Sequence, residues 1–132
     1  MLSYIVLINS EGYWLQSTRN AAISYEPAEV QPEGPRTIVL PKAGWNIIGC
    51  PFTTPRDWNE MIVSYGSIER PASTARDYGW IDTICYWWDN SVPGGAMLQL
   101  GLDDDWVDTT FLQPWRGYWF FTKRDDIRIR IY

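Results

Sequence analysis

Ile127-Arg128-Ile129-Arg130-Ile131 alternates apolar and charged side chains without a break. Side chains along a β-strand point to opposite faces in turn, so this pattern sets three isoleucines against a core and two arginines in water. Segments of similar length and character recur through the chain, separated by Gly, Pro and Asn/Asp. Strands are expected at residues 4–8, 13–17, 22–25, 37–40, 45–50, 61–64, 80–88, 97–102, 117–122 and 127–132, the spacing of an all-β domain. In the stretch 80–88, Ile81, Thr83, Cys85 and Trp87 share one face, and Asp82, Ile84, Tyr86 and Trp88 share the other. Both faces are largely apolar, which predicts a strand covered on both sides or built into a closed barrel.

The punctuation fits the same picture. Pro27, Pro32, Pro35 and Gly34 mark residues 26–35 as an extended connector, because proline donates no ladder hydrogen bond. Ser91-Val92-Pro93-Gly94-Gly95 reads as a hairpin turn. One short helix is expected, opened by Pro71, carried by Ala72 to Tyr78 and ended by a left-handed Gly79. Thr54, Pro55 and Asp57 favour a second short turn ahead of Trp58. The predicted architecture is a β-sandwich or small barrel of about ten short strands with one short helix, a single domain over residues 1–132. Within it, 1–25 are N-terminal strands, 26–35 the connector and 36–132 the main unit.

Composition narrows the function. The 132 residues carry 11 Lys+Arg against 16 Asp+Glu, a net charge of −5, and no histidine. An acidic surface repels phosphate backbones, so nucleic acid is not expected as a partner. The missing imidazoles exclude His-based zinc sites, Ser-His-Asp triads and histidine general bases. No apolar run approaches the about 20 residues of a membrane helix, so no membrane partner is expected. The start has no basic segment ahead of its short apolar stretch and reads as a strand, not a signal peptide. Cys50 and Cys85 permit one disulfide and equally a pair of buried thiols.

Gly12-Tyr13-Trp14-Leu15 is echoed by Gly117-Tyr118-Trp119-Phe120, each followed by a returning strand, which reads as a duplicated strand pair. Gly44-Trp45-Asn46-Ile47-Ile48-Gly49-Cys50-Pro51-Phe52, then Trp58, Ala75 to Ile81, and Leu112-Gln113-Pro114-Trp115-Arg116-Gly117-Tyr118-Trp119 follow in order. Over roughly residues 36–131 this resembles a "GWNLIGNPF … GYW" accessory module of secreted bacterial and archaeal proteins. Cys50 stands where that pattern has Asn. The resemblance implies a β-sandwich-like fold, an extracellular location and attachment to other domains of a larger secreted protein. It implies no particular activity.

Nine Trp and eight Tyr are the chemical signal. Their rings pair a broad apolar face with a polar tip, which suits stacking on the apolar C–H faces of sugars. Trp14, Trp45, Tyr118 and Trp119 lie in motif strands and are expected in the core, with Trp80 capping it. Trp87 and Trp88 are adjacent and must point to opposite faces. An exposed aromatic platform is therefore expected from Trp88, Trp106 and Trp115, with Tyr86 on the face of Trp88. Asp103, Asp105 and Asp108, with Asp104 between them, are a weak calcium candidate whose plain reading is a solvated turn. Glu11, Glu26, Glu60, Glu69, Asp82 and Asp89 could supply a glycosidase pair, but nothing marks two of them as a set. Lys42 and Lys123 lie in no Ser-x-x-Lys arrangement. Arg116, Lys123, Arg124, Arg128 and Arg130 are read as charge guarding an edge strand. The expected function is a non-catalytic extracellular recognition module that binds polysaccharide, such as cellulose or xylan, without a cofactor. The alternative is an assembly or adhesion subunit that forms homo-oligomers by strand addition through residues 4–8. A small glycan-processing enzyme comes third.

Overall fold

The computed structural model describes residues 34–132. The strands expected at 4–8, 13–17 and 22–25, Trp14 and nearly all of the connector lie outside the described residues. In chain order the elements are β1 (Arg36–Leu40), β2 (Gly44–Gly49), β3 (Arg56–Asp57), β4 (Ile62–Tyr65), β5 (Ile68–Pro71), α1 (Ala72–Asp77), β6 (Cys85–Asp89), β7 (Ala96–Leu100), β8 (Phe111–Leu112), β9 (Gly117–Thr122) and β10 (Ile127–Ile131). A single 3-10 turn, Trp58–Glu60, sits between β3 and β4, with the Asp57 side chain accepting from the Asn59 N–H at its start. The turn expected to start at Thr54 thus begins later, at Trp58, because Arg56 and Asp57 pair with β8 as β3.

The strands form an all-β sandwich. One sheet has the order β1-β10-β4-β5, the other β2-β9-β6-β7, and β3 pairs with β8 in a small third ladder. All named pairs are antiparallel. Ile127, Ile129 and Ile131 of β10 point inward beside Ile38, Leu40 and Val63, and meet Ile48, Cys85, Trp87, Leu100, Tyr118 and Phe120 from the facing sheet. Phe120 and Trp58 meet edge to face at 5.7 Å, and so do Trp87 and Tyr118 at 5.4 Å. Both cysteines are free thiols, and burial pushes the Cys85 thiol well above its ordinary range.

Three expectations need correction. The basic C-terminal strand guards no edge: β10 lies between β1 and β4, and Arg130 makes a two-pronged ion pair with Glu69 on β5. The stretch 80–88 is not one strand covered on both faces. Ladder pairing is regular only over β6, with a lone bridge at Ile81, and the face carrying Tyr86 and Trp88 opens outward. Trp45 and Trp119 do not enter the core. Register sets Trp45 opposite Phe121 and Ile47 opposite Trp119, so Ile48 and Tyr118 take the inward positions.

Loop devices hold these sheets in place. Gly79 adopts φ 72° just beyond α1, as its sequence context predicts. Asp105 accepts from the Thr83 hydroxyl and the Leu102 N–H at 2.8 Å each, and meets Arg76 at 3.3 Å. The outer edge of β7 is capped: the Asp108 N–H donates to the Gln99 carbonyl, and the Gln99 N–H donates back to the Asp108 carboxylate. Such a cap occupies the outward backbone groups of Gln99, of the kind that invite edge-to-edge association.

Candidate functional site

The two outer faces of the sandwich differ in chemistry. On the first sheet, register aligns Thr37 with Arg130, Val39 with Arg128, Arg128 with Ser64 and Ser64 with Glu69, a mostly polar face suited to water. On the second, Trp45 and Ile47 of β2 lie beside Phe121 and Trp119 of β9, followed by Tyr86 and Trp88 of β6 and Met97 of β7. Trp45 meets Phe121, Tyr86 and Trp119 at 5.1, 6.0 and 6.4 Å, each edge to face. Trp45 is 56% exposed, Met97 55% and Trp88 47%. A contiguous apolar patch on one face only is the surface feature that marks an interaction site.

At one end this face runs into a cleft of about 410 Å³, walled by Ile47, Trp88, Met97, Trp115, Arg116 and Trp119. Trp88 is fixed there by two contacts. Its indole N–H donates to Asn90 Oδ1 at 2.7 Å, and its ring lies against the backbone of Gly95, so close that a Cβ on Gly95 would fall 2.2 Å from Cζ2. Trp115, 77% exposed, has φ 62°, a left-handed conformation uncommon for a bulky residue. Backbone strain of this kind persists where the surroundings hold it, and it concentrates at ligand clamps. Arg116 lies over the Trp87 ring at 4.9 Å, a cation–π contact that orders its guanidinium at the cleft wall.

The residues expected to form a platform thus separate. Trp88 and Trp115 share the cleft. Tyr86 lies on the same sheet face but half-buried against Trp45, outside the cleft. Trp106 is 99% exposed in the loop after β7 and does not line the cleft. Trp45 and Trp119, expected in the core, and Arg116, expected to guard an edge, belong to the site, as does Met97, for which the sequence suggested no role. The signal for Trp119 was available: Tyr118 and Trp119 are adjacent in a regular strand, so one of them must face outward.

Several of the other carboxylates have local structural partners. Asp104 pairs with Arg76, Glu69 with Arg130 and Asp82 with Lys123, and Asp89 accepts from the Ser91 N–H. The Asp103 N–H donates to the Asn59 side chain. Among the described residues no three His, Cys, Asp or Glu side chains converge as a metal site requires. Hydrogen bonds from Arg130, Arg76 and Ser91 hold Glu69, Asp104 and Asp89, respectively, below their ordinary carboxylate ranges. A carboxylate depressed in the folded state stabilises it above the unfolded pKa, and that contribution is lost as pH falls through the folded value. The melting temperature should accordingly stay level above about pH 5 and fall below about pH 4. The decline should be shallow, because all three groups face water. A melting series across that range checks it, and an E69Q, D89N, D104N triple variant should show a weaker acid decline.

Among the described residues no helix is long and apolar enough to cross a membrane. No family model, no curated protein and no solved structure matches the chain.

Proposed function

We propose that this domain is a non-catalytic module that binds polysaccharide along the aromatic face of the β2-β9-β6-β7 sheet. The observation that carries the reading is the fixed Trp88 ring beside Trp115 at the end of an apolar sheet face. A flat ring already held by Asn90 and Gly95 loses little freedom when a sugar stacks on it, so more of the contact energy appears as affinity. Sugar rings offer the apolar C–H faces that such a surface fits, and their hydroxyls remain in water at the rim. The extracellular setting, as part of a longer secreted chain, rests on the likeness of residues 44–52 and 112–119 to the secreted accessory module.

The test is retention of the purified protein on cellulose, xylan, mannan, chitin, alginate and pectate gels. We expect retention on at least one polymer, reversed by its soluble oligosaccharide. Trp88→Ala should weaken it about 30-fold or more, the scale of a central aromatic contact. The melting temperature should barely move, because the ring lies outside the core. Passage through all six matrices would end this reading.

Assembly by strand addition is the second reading, favoured by one feature. Among the described residues β2 lies at the edge of its sheet, paired only with β9, the kind of position at which a strand from another chain adds. Solution sizing of the full chain and of a chain lacking residues 1–10 separates the readings. A multimer that becomes a monomer on truncation supports assembly.

A further inference from the structure

The charge of the cleft differs from that of the protein. The chain carries −5 overall, yet Arg116 is the one charged side chain among the described residues that line the cleft. Its guanidinium is steadied over the Trp87 ring, and no described carboxylate lies within ion-pair distance of it. Asp89 is close enough to feel its charge but is itself engaged by the Ser91 N–H at 2.8 Å. The Trp88 ring stands on the same cleft, and Trp115 projects beside Arg116 in the chain. A planar fork of N–H donors beside stacking rings fits a ring that carries a carboxylate, since guanidinium and carboxylate can join through two parallel hydrogen bonds.

We propose that the cleft takes an acidic glycan, one uronate ring stacking on Trp88 with its carboxylate received by Arg116. This rests on the glycan-binding reading above and names the class of sugar. The ring contact supplies most of the affinity and Arg116 the choice of polymer, because exchanging a carboxylate for a neutral group leaves the guanidinium without its partner. Recognition through one ordered cation also gives a salt response that stacking alone does not.

The experiment measures binding of the full chain to polygalacturonate, to its fully methyl-esterified form and to alginate, with xylan as a neutral reference. At least one acidic polymer should bind more tightly than xylan. If it is polygalacturonate, esterification should weaken it, because the ring is kept and the charge removed. Arg116→Gln should lower affinity for the acidic polymer roughly 10- to 100-fold, the range for a hydrogen bond to a charged group, and lower binding to the neutral polymer by much less. Arg116→Lys should fall between, keeping the charge but losing the fork. Added salt should weaken the wild type and have little effect on Arg116→Gln. Melting curves establish that each variant is folded, and Trp88→Ala should lose every polymer alike. Tighter binding to xylan than to both acidic polymers, or acidic binding untouched by Arg116→Gln, overturns the uronate proposal while glycan binding stands. Absence of binding to all four polymers overturns the uronate proposal, and glycan binding falls with it only on passage through all six matrices of the first test.

Discussion

Trp58→Ala should cost about 3–5 kcal/mol, the range for emptying a buried aromatic site. Among the described residues Trp58 is the largest fully buried side chain, 1% exposed, and it opens the 3-10 turn between β3 and β4. Three interactions depend on it or surround it. The ring packs edge to face on Phe120, the indole N–H donates to the Thr83 carbonyl at 2.9 Å, and the residue's own N–H donates to the Thr110 carbonyl at 2.8 Å. Alanine keeps only the last. The cavity would be bounded by Phe120 and neighbours anchored in sheets, which cannot collapse freely into it. Against a domain stability of about 5–15 kcal/mol, such a loss leaves a marginal fold. Denaturant titration gives the number directly, and a midpoint shift worth less than about 1 kcal/mol would mean that the site relaxes and the ring is not a keystone. Trp58→Phe separates the terms. It keeps most of the volume and removes the N–H, so it should cost about 1–3 kcal/mol for the orphaned Thr83 carbonyl.

The same residue shows what the sequence makes legible. Thr54, Pro55 and Asp57 ahead of Trp58 identify a short turn, and β10, α1 and the hairpin after β6 are legible for the same reason: each depends on residues adjacent in the chain. Alternation in Ile127–Ile131 and the stop at Gly79 need no knowledge of partners. The position of β10 in its sheet does. Nothing in five alternating residues tells that β1 and β4 flank them, so charges that face solvent from a central strand read equally as guards of an edge. Trp45 and Trp119 were hidden differently. Hydrophobicity assigns both inward, and only register, with Ile48 opposite Tyr118 and Trp45 opposite Phe121, decides which half of an apolar strand meets the core. Of the platform residues, Trp88 was legible from its adjacency to Trp87. That it shares a cleft with Trp115, and that Trp106 does not, follows from how β6 and β9 pair across a long sequence separation.

Gly95→Ala should abolish glycan retention as fully as removing the Trp88 ring, although residue 95 itself makes no contact with the sugar in this reading. Both glycines of the β6–β7 turn have left-handed backbones, Gly94 at φ 78° and Gly95 at φ 72°. An L-residue at either position costs about 1–2 kcal/mol in backbone strain. Space distinguishes them. A Cβ on Gly94 meets nothing within 4 Å, whereas one on Gly95 lands 2.2 Å from Trp88 Cζ2 and 2.7 Å from its Nε1. Atoms cannot share that volume, so the indole must swing away, breaking its bond to Asn90 and ceasing to lie flat. Gly94→Ala therefore serves as a matched control with similar strain and unaltered binding. Gly95→Ala should lose about 30-fold or more in affinity, matching Trp88→Ala. A double-mutant cycle adds a check on stability. In a Trp88→Ala background the clash disappears, and Gly95→Ala should then cost no more than Gly94→Ala, so the two sites couple. Equal retention by the Gly94 and Gly95 variants would show that the ring tolerates displacement. The preorganised platform would then have no part in binding, and the flatter surface formed by Trp45, Phe121 and Tyr86 would become the place to look for it.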